Sequence, residues 1–333
     1  MAISTLARRR ALLDRQGRSI TYLRLSLTAR CNFRCSYCTS GLEAPGGQLS
    51  AAEIRRAVSA LAALGIRRVR LTGGEPTLRQ DLVSIVESVR DTPGIEEVAL
   101  TTNGQRLAGV AASLRRAGLS RVNVSVDTLD GNRLHRLSGR AASLARVLSG
   151  FEAAASAGFD SLKMNTVVMR GVNDDELAAL ARYAWSLGAT PRFIELMPFG
   201  PGSPVPVSQM KVLLAAQGIP LQPDATRGWG PAHYMHGESA AGRGAGLVGF
   251  IGAMSEGFCA TCNRIRLGPN GALRPCLGGR AEVPLRDLLQ RDLVDVAAVE
   301  ARVAAALEKK GDRHDLAGQA GLGRLPLMAA VGG

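Results

Sequence analysis

Long apolar runs are missing from this sequence. Each is broken by Arg, Gly or Asp well short of the ~18 residues a membrane span requires, and the opening "MAISTLARRRALLDRQGR" holds no apolar signal core. The expected location is therefore cytoplasmic, with residues 1–19 a basic arm rather than an Arg-rich transit peptide. Aromatics are scarce, at 4%, which leaves few platforms for stacking bases and argues against a nucleic-acid partner. Cysteine is scarce too: six in 333 residues cannot staple a secreted scaffold, so clustered thiols point to metal or redox chemistry. Acidic residues fall short of basic ones, 28 against 41, and the net +13 asks for an anionic partner, which charge alone does not identify as nucleotide, nucleic acid or membrane surface. With 46% apolar residues the chain buries one large core or two smaller ones.

What is present is a repeating unit. Short β-rich runs alternate with helical stretches from residue 20 to 198: "YLRLSLT" (22–28), "RVRLTGG" (68–74), "EVALTTNG" (97–104), "RVNVSVD" (121–127), "LKMNTVVM" (162–169) and "RFIELMP" (192–198). Between the first two, Ser50 and Glu53 form a capping box and Gly65 ends the helix. Asn173, Glu176 and Gly188 repeat the pattern. Alternating β and α of these lengths implies parallel strands joined by helical crossovers, in a partial (β/α)6 TIM-like barrel or an open doubly wound sheet. Side-chain alternation favours the partial barrel. Strands buried on both faces read as continuous apolar runs, whereas here one face carries Arg24 and Ser26; Arg70 and Thr72; Asn123, Ser125 and Asp127; Lys163 and Asn165; and Glu195. That face is expected to line a solvated lumen. After residue 198 the rhythm stops at "MPFGPGSPVPVS", and residues 199–333 read as a smaller C-terminal domain with a final helix near 296–310.

The six cysteines fall into two triplets. Cys31, Cys35 and Cys38 sit in the loop after the first strand, spaced to converge on one metal centre. A tetrahedral zinc would want a fourth protein ligand, and the histidines, at 135, 233, 236 and 314, are far off in sequence. An iron-sulfur cubane on three thiolates would instead leave one iron open. Cys-x3-Cys-x2-Cys with Tyr37 before the last cysteine, followed by "GGEP" at 73–76, resembles the radical S-adenosylmethionine superfamily. The resemblance implies that this cluster delivers one electron to the sulfonium of S-adenosylmethionine, and that Gly74 contacts the methionine moiety.

Cys259, Cys262 and Cys276 make the second triplet. Here a structural zinc site completed by His233 or His236 stays open, and so does a second cluster. Arg264 and Arg266 alternate in "RIRL" and share one strand face, where their guanidiniums suit a polyanion.

Taken together, "RCNFRCSYC", "LTGGEPTLR", "TTNG", "VNVSVDTL", "KMNTVVMRGVND", "FIELMPFG", "CATCNRIRL", "RPCL" and the terminal "GG" resemble the MoaA family of GTP 3',8-cyclases, over residues 18–333. The resemblance implies two 4Fe-4S clusters, the second on Cys259, Cys262 and Cys276 and binding the purine through its open iron. An adenosyl radical would take the ribose C3' hydrogen of GTP, and the C3' radical would attack guanine C8. It assigns Tyr37, Gly74, Ser125 and Met197 to S-adenosylmethionine. Arg24, Arg70, Thr101, Lys163, Arg264, Arg266 and, through its backbone, Ile265 go to GTP. Arg24, Arg264 and Arg266 take catalytic roles, and Gly332 and Gly333 form a flexible tail that reaches the active site. An external electron donor and a downstream cyclic pyranopterin monophosphate synthase are the implied partners, and a homodimer is compatible with the pattern. A peptide-modifying radical enzyme with an auxiliary cluster is the nearest alternative, although such proteins usually carry more C-terminal cysteines. A zinc-stabilised nucleic-acid-binding protein is the alternative from another class.

Overall fold

All six strands form in a computed structural model that describes residues 12–38, 47–139, 141–228, 230–239, 244–316, 318 and 328. They are β1 (Tyr22–Ser26), β2 (Arg68–Thr72), β3 (Glu97–Thr102), β4 (Arg121–Ser125), β5 (Ser161–Val168) and β6 (Thr190–Glu195), parallel neighbours in sequence order. The crossovers are α1 (Ala51–Ala63), α2 (Leu82–Arg90), α3 (Ala111–Arg116), the pair α4 (Gly131–Ser138) and α5 (Leu144–Ser156), and α6 (Leu177–Ser186). Helix α1 is built as its sequence dictates. Ser50 and Glu53 cap each other reciprocally, and beyond Leu64 the chain turns at Gly65, in the left-handed region at φ 112°. Its apolar stripe, Ile54, Ala57, Val58 and Leu61, packs in one core with Leu23, Leu25, Val69 and Leu71 of the strands. Burying each such Leu or Ile contributes roughly 1.5–3 kcal/mol.

The second capping pattern does not form. Glu176 stands at the N-cap of α6 without a side-chain cap bond, and its carboxylate instead accepts from Thr128, Leu129 and Arg133. Asn173 is fully buried and ties the end of β5 to the loop after β4: its side-chain oxygen accepts from Met169 N at 2.8 Å while Nδ2 donates to the carbonyls of Asp127 and Val167. A loop buried between two strand ends needs its backbone groups satisfied, and that need outweighed the local cap.

Residues after 198 extend the sheet at both edges. Helix α7 (Val207–Ala216) leads to β7 (Leu221–Arg227), β8 (His233–Glu238) and β9 (Ala245–Ile251), and β9 lies parallel to β6. The chain then crosses to the far edge, where β10 (Arg264–Leu267) runs parallel to β1, followed by antiparallel β11 (Ala272–Arg274) and β12 (Val283–Pro284), then α8 (Arg286–Leu289) and α9 (Val296–Leu307). Among the described residues the result is one sheet of twelve strands ending at β12 and β7, an α/β partial barrel. No described helix is long and apolar enough to cross a membrane.

Candidate active site

The loops after the parallel strands and the added strand β10 enclose a cavity of about 290 Å³. One wall is the first cysteine loop. Cys31, Cys35 and Cys38 all line the cavity, and the loop is held from three sides. Arg34 N and Ser36 N donate to the carbonyls of Ser138 and Leu137 at the end of α4. Gly74 N and Glu75 N donate to Thr28 and Arg30, at 2.7 and 2.8 Å. Asn103 Nδ2 donates to Asn32 at 2.8 Å. Gly74 is required by packing, because a Cβ there would stand 2.2 Å from the Arg30 carbonyl oxygen. Gly200 backs the loop in the same way: a Cβ there would stand 2.4 Å from the Ser36 carbonyl oxygen.

The surroundings of these thiols are neutral or acidic. Glu75 is buried, its carboxylate accepting from Thr77 N, Thr77 Oγ1, Thr102 Oγ1 and Asn103 N, which spans the turns after β2 and β3. Burial, with the Glu75 carboxylate adding to it, pushes the Cys31 thiol up to about 11, and burial with Asp127 pushes Cys35 up to about 12. Cys35 Sγ lies 3.3 Å from the buried Ser138 hydroxyl. Tyr37 OH donates to Asp127 at 2.5 Å, and Val167 N donates to the other carboxylate oxygen. Even so, burial holds the Asp127 carboxyl up at about 6.

The opposite wall is cationic. In the sheet register Arg24 pairs Arg70 on one side and Arg266 on the other, and Tyr22 pairs Arg264. Neighbouring strands lie ~4.8 Å apart, so three guanidiniums stand in a row across β10, β1 and β2. Burial, then Arg266, holds the Arg24 guanidinium well below its ordinary range, and burial, then Arg264, brings Arg266 down to about 10. Arg70 Nε donates to Tyr22 OH at 2.5 Å; burial alone would raise that phenol, but Arg70 and Arg24 keep it below its usual value. Like charges so close repel each other, and an anion in the cavity relieves them.

Of the sequence-predicted contacts, Arg24, Tyr37, Arg70, Gly74, Thr101, Ser125, Met197, Arg264 and Arg266 line this cavity. Lys163 and Ile265 are not among the lining residues. Lys163 Nζ donates to Tyr234 OH of β8 at 2.9 Å, and Ile265 is buried in the main core on the other face of β10. Gly332 and Gly333 lie outside the described residues, although Met328, close to them in sequence, lines the cavity. Glu195 does not face the lumen. Its carboxylate accepts from the amides of Val207, Met254 and Ser255, while Arg192 and Ile194 of the same strand line the cavity. One residue of register exchanges the faces of a strand. Arg192 was therefore missed; its guanidinium donates twice to Asn165 Oδ1, and burial brings it down to about 10.

Cys259, Cys262 and Cys276 line a smaller pocket of about 60 Å³ whose wall shares Met197, Ala253, Phe258, Arg264, Arg266 and Leu277 with the large cavity. The Arg264 guanidinium sits 4.8 Å from the centre of the Phe258 ring. Here one thiol, that of Cys262, is shifted the other way. Burial disfavours the Cys262 thiolate, but Arg264 and Lys310 outweigh it and bring the thiol down to about 7. Lys310, which no local pattern had singled out, is 3% exposed, and burial pulls its own ammonium below the ordinary lysine range. The histidine at this pocket is His314, whose Nε2 lies 2.8 Å from Ala253 O and whose Nδ1 is buried without a partner among the described residues. His233 and His236 are on β8, where His233 meets Glu256 at 3.0 Å.

Each triplet presents three thiols to its cavity, a donor set that an iron-sulfur cubane would take up with one thiolate per iron.

Two family models divide the chain between them: Radical SAM superfamily over residues 25–184 and Molybdenum Cofactor Synthesis C over residues 189–316. A GTP 3',8-cyclase from Heliobacterium modesticaldum is 43% identical over 97% of this chain and 100% of its own length. One from Edwardsiella ictaluri is 42% identical over 97% and 99%. Among solved structures, Streptococcus suis SuiB bound to its precursor peptide SuiA superposes with a TM-score of 0.60, covering 96% of this chain and 76% of that one at 12% identity. SuiB bound to S-adenosylmethionine gives 0.59 over 88% and 72%, at 15% identity. At such identities the likeness extends to the fold alone.

Proposed function

The chain belongs to the GTP 3',8-cyclase family of radical S-adenosylmethionine enzymes, and on that premise we propose that it converts GTP to (8S)-3',8-cyclo-7,8-dihydroguanosine 5'-triphosphate, the first step of molybdenum cofactor synthesis. The observation that carries the reading is one cavity with three thiols on one wall and a row of arginines on the other, joined through shared residues to a pocket lined by three more thiols.

Cys31, Cys35 and Cys38 would hold a first 4Fe-4S cluster, and Cys259, Cys262 and Cys276 a second. When bound, the first supplies the electron that cleaves S-adenosylmethionine, and the second an iron without a protein ligand for the purine. The protein's part is to bind, orient and exclude water. Tyr37, Gly74, Ser125 and Met197 hold S-adenosylmethionine beside the first triplet. Arg24, Arg70, Arg264 and Arg266, with Thr101, take the triphosphate, whose charge offsets the repulsion among the guanidiniums. Lys163, which donates to Tyr234 OH, and Ile265, through its backbone, are assigned to GTP as well. Gly332 and Gly333 close the site, a reading supported by the position of Met328. An external reductant and a downstream cyclic pyranopterin monophosphate synthase complete the set of partners, with the chain cytoplasmic and compatible with a homodimer. Residues 20–198 supply the barrel and 199–333 the auxiliary part, a division by order along the chain, since strands of the second segment complete the sheet of the first.

The test is anaerobic incubation of reconstituted protein with dithionite, S-adenosylmethionine and GTP, analysing for 5'-deoxyadenosine and a cyclised nucleotide. About 8 each of iron and sulfide per chain are expected from two cubanes. Deoxyadenosine with GTP untouched would refute the substrate; zinc without sulfide would refute the mechanism.

A further inference from the structure

Just beyond α9, the Lys310 ammonium is buried behind the second triplet, and its three N–H groups have three partners: Arg264 O at 2.6 Å, Pro275 O at 2.7 Å and Cys262 Sγ at 3.6 Å. Arg264 lies two residues past Cys262, and Pro275 immediately precedes Cys276. We propose that Lys310 is a positioning residue for the second triplet: it ties the two cysteine-bearing segments together and, by donating to Cys262 Sγ, makes the centre held there easier to reduce. The inference deepens the reading that Cys259, Cys262 and Cys276 hold a cluster, and rests on it.

The two carbonyl contacts fix geometry. They join the start of β10 to the end of β11, so Cys262 and Cys276 are set at a fixed separation before any metal arrives. The third cysteine is held by the N-terminal segment as well. Arg18, anchored on Asp14 at 2.6 Å, donates through Nη1 to Cys259 O at 2.7 Å and through Nη2 to Gly311 O at 2.9 Å. Gly311 follows Lys310 directly, so the N-terminal turn locks the lysine's own loop onto the first cysteine of the triplet. All three segments are thereby braced by two buried or half-buried cations that no ligand pattern in the sequence marks.

The sulfur contact changes the chemistry. One-electron reduction adds a negative charge to a thiolate-ligated cluster, and a buried cation donating to one of its sulfurs stabilises that charge. The matching position in the first triplet is a neutral hydroxyl, Ser138 against Cys35. Lys310 thus sets the two centres apart in potential, with the second the more readily reduced.

The experiment uses the full chain with Cys31, Cys35 and Cys38 replaced by Ala, reconstituted with iron and sulfide, so that the second centre alone gives a signal. Reduction is followed by electron paramagnetic resonance at controlled potential. In Lys310→Met the ratio of reduced to oxidised cluster at the parent's midpoint is expected to fall about tenfold, a shift of ~60 mV to more negative potential. Lys310→Arg is expected to stay within about threefold of the parent. Titration of Lys310→Met at the parent potential overturns the inference. Should Lys310→Met retain no iron, Lys310→Arg decides: parent-like iron and potential support the assignment, and equal iron loss overturns it. A parent chain that takes up no iron at this triplet refutes the cluster reading itself, and the inference with it.

Discussion

The two cysteine triplets each bring three thiols to one of two joined cavities and differ in almost everything around them. Cys31 and Cys35 sit among Glu75, Asp127 and the Ser138 hydroxyl, and their thiols are pushed up to about 11 and 12. Cys262 sits among Arg264, Arg266 and Lys310 and is brought down to about 7. Burial raises the Cys31 and Cys35 thiols, with the Glu75 and Asp127 carboxylates adding to it, whereas at Cys262 the Arg264 and Lys310 cations outweigh burial. On the proposed reading the first environment would suit a centre that gives up an electron, and the second one that draws an anion.

The comparison is broken most severely by removing one cysteine from each side. Cys31→Ala is expected to abolish 5'-deoxyadenosine formation and halve bound iron. Cys276→Ala is expected to spare the first centre's iron and abolish cyclisation. Equal loss of both activities in both variants, read by iron analysis and product chromatography, would show that the triplets are not separate sites.

Arg266→Ala tests the cationic wall, with an expected loss of ~2–3 kcal/mol in GTP affinity, about 30–160-fold, from a charge-assisted contact. S-adenosylmethionine affinity should change little. Calorimetric titration of each ligand gives the split.

A smaller effect separates the acidic surroundings of the first loop. Burial holds Asp127 up at about 6, so the folded chain binds that proton more tightly than the unfolded chain does. The contribution is fully present below about pH 4, the unfolded carboxyl's value, and is lost as pH rises through about 6. Between those limits stability should fall by on the order of 2 kcal/mol with rising pH, and Asp127→Asn should remove that slope, read from denaturant midpoints of the metal-free protein. The smallest effect belongs to Ser138→Ala, which removes one neutral contact to Cys35 at a cost of about 1 kcal/mol without displacing the loop.

Much of this arrangement was legible in the residues, and the failures have physical causes. Alternation in "YLRLSLT" and "RVRLT" placed Arg24 and Arg70 on the lumen face, because one apolar and one polar face leave a strand a single way to lie. "RFIELMP" misled, since Arg192 and Ile194 share one parity and Glu195 the other, and each face carries a charge. Three backbone amides drew Glu195 outward. Asn173 looked like a helix cap and became a staple between β5 and the loop after β4. His233 and His236 were the nearest histidines to the second triplet in sequence, yet His314 is the one at its pocket.

By itself the sequence determined the six β/α units, the capped α1, one loop that gathers three thiols, a second set of three cysteines, and the arginines of "RIRL". These follow from interactions within a few residues: alternation, capping and spacing. Only the tertiary structure decided that β10 lies against β1, so that Arg266, Arg24 and Arg70 form one row, and that Lys310 reaches Cys262 across 48 positions of chain. Pairing between segments so far apart is settled by the burial of whole faces and the satisfaction of backbone groups at a sheet edge. No local pattern encodes it.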